Sequence, residues 1–325
     1  MIPLKLVFAV IIAASPAVEP PTLHPVKVPP GLAAVTTVPE FSGLAWSPTL
    51  ERYLVVSDDT GRKETQTNHA PMVLGLSSQG ILDGRPIPIT GVESVNDAEA
   101  ICPGPNGTYF LVTSHSPNRK GHTPTNRRQL LHLKEQKRSL AVLGHVDLTA
   151  IEGGTSLQEI AGLPADGRLD IEALAYDKGT LFVGLKSPLG ARGAAVILRL
   201  ADPVGAMRAG RIKREAISRW IEVPLCLDAG SKNVCQGFSD MTFLPDGSLV
   251  VSANAPKGGP HDGGGALWWL RRPVGDSAPV LLRRFAGHKP EGVALSPSRR
   301  SLMVVFDCGQ GTPLWTELPL PVSPL

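Results

Sequence analysis

The 325-residue sequence predicts an all-β fold, a β-propeller of five blades closed into a ring, and three observations predict it. One hairpin plan recurs five times along the chain. Turn formers are abundant, with 34 Gly and 31 Pro, while helix-period stretches are nearly missing. The spacing of the repeats fits one four-stranded sheet per step, which is how a propeller is built.

Residues 1–17 read as an export signal rather than as part of the fold. Lys5 supplies a positive start, Leu6 to Ala14 form a short apolar run, and Ser15-Pro16-Ala17 offers small residues for cleavage. That run falls short of the about 20 residues a membrane-spanning helix needs. The mature chain is therefore expected to have no membrane span and to work in the periplasm or outside the cell, with residues 18–325 forming a single propeller domain.

The repeats are FSGLAWSPTLERYLVVSDD (41–59), AEAICPGPNGTYFLVTSHS (98–116), IEALAYDKGTLFVGLKSPL (171–189), FSDMTFLPDGSLVVSANA (238–255) and PEGVALSPSRRSLMVVFDC (290–308). Each has a small or acidic residue, a short apolar strand, a tight turn, a β-branched strand and a polar cluster. Asn106-Gly107, Asp177-Lys178-Gly179 and Asp246-Gly247 are residues that tolerate positive φ and so reverse a strand tightly. Third strands are expected at Met72–Leu76, Gln129–Lys134, Ala194–Leu200, Ala266–Leu270 and Pro313–Leu318, and fourth strands at Leu140–Val146, Ala216–Val223 and Pro279–Phe285. Asp202–Arg214 reads as one short helix or a loop.

Anchored on Ser42, Glu99, Glu172, Ser239 and Glu291, the repeats lie 57, 73, 67 and 52 residues apart. Only 34 residues follow Glu291, room for about three strands of usual length. The missing strand is expected from Ala33–Val38, which would close the ring and remove exposed sheet edges. Six blades is the alternative, if the first two linkers hide a degenerate unit; Ile151-Glu152-Gly153 imitates the motif start, but no second strand follows it. A decorated β-sandwich does not explain five equivalent hairpins.

A net charge of +3 with both signs interspersed gives no case for nucleic acid as partner. Four Cys in an exported chain allow two disulfides in three pairings. Cys226 and Cys235 bracket a polar octapeptide and are expected to pin a loop at its base, which leaves Cys102 and Cys308. No C-x-x-C spacing supports zinc. No phosphate-cradling, H-E-x-x-H or G-x-S-x-G motif is present, so neither a nucleotide nor an organic cofactor is expected.

Equivalent positions of a propeller converge near its axis. The strand starts contribute Ser42, Glu99, Glu172, Ser239 with Asp240, and Glu291; the second-strand ends contribute Asp58 with Asp59, His115, Lys186, Asn254 and Asp307. Converging carboxylates repel unless a cation or protons neutralise them, and hard oxygen donors favour Ca²⁺ or Mg²⁺. Glu99, Glu172, Glu291, Asn254 and Asp307 are therefore the expected metal ligands, with His115 or Asp58 as base and Lys186 facing an anionic group. The same acids also fit a purely structural role, hydrogen-bonding the neighbouring blade's amides.

Ile171-Glu172-Ala173-Leu174-Ala175 followed by Gly184-Leu185-Lys186-Ser187-Pro188-Leu189 resembles the signature of a bacterial propeller family of unknown function, I-E-G-L-A and then G-L-R-x-P-L. Pro290-Glu291-Gly292-Val293-Ala294 is similar to the E-G-[LV]-A strand that this family shares with phytase-like esterases. More distantly it is similar to gluconolactonase-type propellers, where such a Glu holds a metal ion. Ala173 stands where the family tends to have Gly, and Lys186 where it tends to have Arg, which keeps the charge but loses the bidentate fork. Ser42 and Ser239 replace Glu in two repeats. The function expected is a secreted hydrolase acting on a phosphoester, ester or lactone, with a divalent cation at the channel and a small anionic or ester substrate. The alternative is a non-catalytic propeller that binds a ligand or protein partner.

Overall fold

The computed structural model of the protein describes residues 21–33, 36, 39–58, 60, 69–228, 233–256, 264–272, 274–275, 277–309 and 311–321. The expected export signal and Asp59 lie outside them. No described helix is long and apolar enough to cross a membrane.

The chain is all-β. After a two-residue strand β1 (His24–Pro25) and a helical turn α1 (Pro30–Ala33), it forms antiparallel four-stranded units. The first is β2 (Phe41–Ser47), β3 (Arg52–Ser57), β4 (Met72–Leu76) and β5 (Ile87–Thr90). The second is β6 (Ala98–Pro103), β7 (Thr108–Thr113), β8 (Leu130–Gln136) and β9 (Ser139–Val146). Helix α2 (Leu157–Ala161) precedes the third, which is β10 (Asp170–Asp177), β11 (Thr180–Ser187), β12 (Ala195–Ala201), a helix α3 (Pro203–Ala209) and β13 (Ile217–Val223). A small hairpin, β14 (Cys226–Asp228) and β15 (Asn233–Cys235), leads into β16 (Gly237–Phe243), β17 (Leu249–Asn254), β18 (Gly265–Leu270) and β19 (Val280–Phe285). Then come β20 (Lys289–Leu295), β21 (Ser301–Asp307) and β22 (Leu314–Pro319).

The last sheet has the order β1-β22-β21-β20, with His24 opposite Trp315. Its N-terminal strand is thus His24–Pro25. The segment expected to supply it, Ala33–Val38, ends a helical turn at Ala33 and lies otherwise mostly outside the described residues. The first two units merge into one eight-stranded sheet through a parallel β5–β9 pairing, Ile89 opposite Leu140. Strand β5 carries no sequence expectation, because Pro88 interrupts its short apolar run.

The first strand of each unit packs against the first strand of the next: β2 on β6, β6 on β10, β10 on β16, β16 on β20, and β20 back on β2. Strands in such a stack are covered on both faces and read as continuous apolar runs, yet their period of two still sorts the side chains. In β7, Tyr109 and Leu111 join a core cluster with the first unit, while Phe110 and Val112 join a cluster with the third. In β21, Leu302, Val304 and Phe306 face the fourth unit and Met303 and Val305 the first. The hairpin turns bear out their chemistry: Asn106 and Gly107 have φ of 54° and 70°, and Gly247 has φ of 83°, values that Asn and Gly tolerate best. Cys226 and Cys235 are disulfide-bonded at the open end of the β14–β15 hairpin, closing a loop within one segment. Cys102 and Cys308 are free thiols and are not joined to one another.

Candidate functional site

All five first strands carry a β-bulge at the same place. Pairing jumps from Ala98 to Ala100, from Ile171 to Ala173, from Phe238 to Asp240 and from Pro290 to Gly292, and from Phe41 to Leu44 in the first unit. The residues skipped are Glu99, Glu172, Ser239, Glu291, and Ser42 with Gly43. A bulged residue leaves the ladder and its side chain is re-aimed. The bulges are what turn these five side chains, all buried, away from the sheet pleat.

The residue after the bulge is small in four of the five strands, and the packing says why. A Cβ on Gly43 would sit 2.5 Å from the Ala100 Cα, and one on Gly292 would sit 2.6 Å from the Ser42 carbonyl oxygen. Neighbouring first strands approach backbone to backbone there, which explains E-A-I, E-A-L, S-G-L and E-G-V physically. The exception is Asp240. Its carboxylate reaches between strands and accepts from the amides of Met241 (2.8 Å), Val293 (3.0 Å) and Leu44 (3.2 Å), joining three units at one buried group. Burial pushes its carboxyl well above the usual range although these three amides pull it down.

The strand-start end of the stack encloses a cavity of about 70 Å³. Ser42, Asp58, Glu99, Glu172, Lys186, Asn254, Glu291 and Asp307 line it, with Phe41, Ala255 and Lys289. Seven of the eight residues expected to bind metal or take part in catalysis, including all three glutamates, thus line one cavity, whereas Ser239 and Asp240, also expected near the axis, do not line it. Ser42 donates to Asp58 and, at 3.2 Å, to Glu99 Oε2. Lys186 Nζ donates to Glu172 Oε2 and lies 3.4 Å from Glu291 Oε1, one ammonium spanning two units. Burial disfavours its charge, but Glu172 and Glu291 outweigh that and raise its pKa well above normal. Asn254 Nδ2 donates to Ser239 Oγ (2.8 Å) and the Pro290 carbonyl (2.9 Å), tying β17 to β20. Lys289 sits 3.7 Å from Asp307 at the mouth.

His115 lies elsewhere. Its ring is buried with Nδ1 2.8 Å from the Thr113 carbonyl oxygen, its φ is 57°, and it is absent from the cavity lining. Burial lowers its pKa to about 4, so the ring is neutral at physiological pH.

Two carboxylates that sequence reasoning missed complete the site. Asp58, Asp97 and Glu99 bring oxygens within 4.8 Å of one another, and so do Glu99, Asp170 and Glu172. Glu99 is common to both triads. Backbone bonds assemble them: the Asp97 amide donates to the Asp58 carbonyl (3.2 Å) and the Ile171 amide to the Ser114 carbonyl (2.8 Å), lacing the first three units together. Ser114 also donates to Asp97, and Arg127 pairs with its other oxygen at 3.2 Å. A signal for these acids stands in the sequence, since Asp97-x-Glu99 and Asp170-x-Glu172 repeat the same spacing at two strand starts.

The electrostatics follow from the count of charges. Burial first, then Asp97, raises Asp58 to about 8, with Glu291 and Asp307 adding to the effect and the Ser42 hydrogen bond opposing it. Burial likewise pushes Glu99 well above the usual range, with Asp58 and Glu172 contributing, and pushes up Glu172 against the pull of Lys186. The cluster therefore holds protons or needs a positive ion. Oxygens up to 4.8 Å apart fit a shared ion bound at the 2.3–2.6 Å typical of Ca²⁺, and an all-oxygen donor set suits such a hard cation.

No family model matches the chain, and no curated protein matches it significantly. Among solved structures it is similar to a hypothetical protein from Leishmania major at 8% identity, with 91% of this chain and 89% of that one covered and a TM-score of 0.50. It is also similar to the soluble aldose sugar dehydrogenase of Escherichia coli, at 13% identity, 92% and 99% coverage and a TM-score of 0.48. A gluconolactonase from Xanthomonas campestris matches at 12% identity, 96% and 99% coverage and a TM-score of 0.43. At these identities the likeness concerns the fold, and the chemistry of those proteins is not carried over.

Proposed function

We propose that the chain is an exported, five-bladed propeller that hydrolyses a small ester or lactone with a divalent cation, Ca²⁺ before Mg²⁺, at the strand-start cavity. The closed cycle of contacts among β2, β6, β10, β16 and β20 supports five blades, with β1 completing the last. The Cys226–Cys235 bond supports an oxidising compartment. One observation carries the activity: two overlapping carboxylate triads share Glu99, and three of their five acids, Asp58, Glu99 and Glu172, line a cavity with one buried ammonium. Asp97, Glu99, Asp170 and Glu172 would hold the ion, with Asp58 at its edge, while Lys186 holds Glu172 and Glu291 in place and offsets their charge.

When bound, the cation supplies Lewis acidity toward a carbonyl oxygen. Asp58, which lines the cavity and is hydrogen-bonded by Ser42, is the general base. It takes a proton from water as the water oxygen bonds to the acyl carbon, and returns that proton to the alkoxide oxygen when the acyl C–O bond breaks. Ser42 orients Asp58 and Glu99. The cavity lies far below the 300–1,000 Å³ of ligand pockets, so only the reacting group of a substrate enters it. His115, outside the lining, has no part in this reading.

The competing reading is a non-catalytic scaffold. It rests on the Asn254 and Lys186 contacts between units, which knit sheets together whether or not an ion binds. Metal analysis of the purified protein, then a screen on chromogenic ester, lactone and phosphomonoester substrates with calcium or chelator, separates the two. Calcium-dependent turnover of the ester or lactone supports the enzyme. Phosphomonoester turnover alone would move the substrate class, and metal-free, inactive protein would leave the scaffold.

A further inference from the structure

The same five strands have a second end. There Leu44, Ile101, Met241 and Ala294, each from a different unit, wall a cavity of about 590 Å³. Its volume is ordinary for a small-molecule site. The third unit adds Tyr176, and Trp46 and Phe243 come from the first and fourth.

These three rings are half-buried, and each is locked from behind by a ring of a neighbouring strand. Trp46 meets Tyr53 edge-on at 4.9 Å, Tyr176 lies 5.4 Å from Phe110, and Phe243 meets Phe182 edge-on at 5.1 Å. Aromatic side chains held this way offer contact area at little entropic cost. The rim carries two charges. Asp177 is paired with Lys178 at 3.7 Å, whereas Arg299, exposed at the mouth, has no ion-pair partner among the described residues.

We propose that this strand-end cavity binds a small amphipathic anion, its planar ring-containing body among Trp46, Tyr176 and Phe243 and its anionic group at Arg299. The apolar walls select the body, and Arg299, the one charge lining the rim without an ion-pair partner among the described residues, selects the sign of the head. The site is independent of the carboxylate cavity, since the two share no lining residue.

Fluorescence titration of the whole folded protein with 1-anilinonaphthalene-8-sulfonate and its uncharged analogue N-phenyl-1-naphthylamine tests this. Each probe should bind once per chain. Trp46→Ala and Phe243→Ala should weaken both probes about tenfold, one lost ring contact's worth. Arg299→Glu should weaken the sulfonate about fivefold and leave the neutral probe unchanged, as expected for one partly screened charge contact. Several probes per chain, or ring variants within about twofold of wild type, would overturn the proposal. So would an Arg299→Glu variant that treats both probes alike; that residue is exposed, so this arm stands even where a ring variant fails to fold.

Discussion

The two ends of the first-strand stack are made from the same five strands and have opposite chemistry. At the start of each strand a bulge releases a polar side chain, and four of the five, Ser42, Glu99, Glu172 and Glu291, line a carboxylate-rich cavity of about 70 Å³. At the other end the pleat is regular, and apolar and aromatic residues line about 590 Å³. Both ends belong to the same five strands, so the strand arrangement alone does not impose this contrast. It comes from one extra residue per strand, which breaks the ladder and releases a side chain from the sheet. Asp240 lies between the two ends and binds amides of three units.

The contrast orders the expected effects of mutation. Asp240→Ala should be the most damaging, leaving three buried amides without an acceptor at about 1–3 kcal/mol each. Urea denaturation should show a loss of about 4 kcal/mol, or no folded protein. Lys186→Met comes next, at about 3 kcal/mol, since it leaves Glu172 and Glu291 buried without their counter-charge. Calcium should restore part of that loss, which calcium-dependent melting would read. Trp46→Ala at the opposite end should cost about 1–2 kcal/mol for a half-buried ring and leave any calcium response intact. Equal calcium sensitivity of Lys186→Met and Trp46→Ala would break the contrast.

A pH series sharpens the same point. An unfolded Asp58 titrates near 3.8 and the folded one near 8, so between these values the folded state binds a proton that the unfolded state lacks. In chelator, stability should therefore fall as pH rises from about 4 to 8. Calcium should flatten the slope by replacing the proton. Thermal denaturation across pH, with and without calcium, reads both.

The strand-start end was more legible in the sequence than the strand-end cavity. Hairpin turns and two-faced apolar runs are local, so Met72–Leu76 coincides with β4, and the fourth-strand segments at 140–146, 216–223 and 279–285 overlap β9, β13 and β19. Repeat equivalence then placed Glu99, Glu172, Glu291, Asp58 and Asn254 at one cavity. It failed for His115, which occupies the equivalent position but with φ of 57°, a backbone turn no repeat pattern encodes. It also passed over Asp97 and Asp170, which lie two residues ahead of the bulged glutamates and join the cluster through bonds between units. Trp46, Tyr176 and Phe243 read as ordinary core, since nothing in a strand's alternation marks which apolar residues end at an open mouth.

In the proposed function the carboxylate end holds a cation through Glu99, the residue common to both triads. The most direct test is the melting temperature of wild type and Glu99→Gln, each in calcium and in chelator. An ion that binds the folded state alone stabilises it by about 2.7 kcal/mol at a hundredfold excess over its dissociation constant. Wild type should therefore melt several degrees higher in calcium, while Glu99→Gln should lose that shift and, with a neutral amide replacing a buried carboxyl among other acids, melt at or above wild type in chelator. Melting temperatures indifferent to calcium in both proteins, or an undiminished shift in Glu99→Gln, would contradict the account.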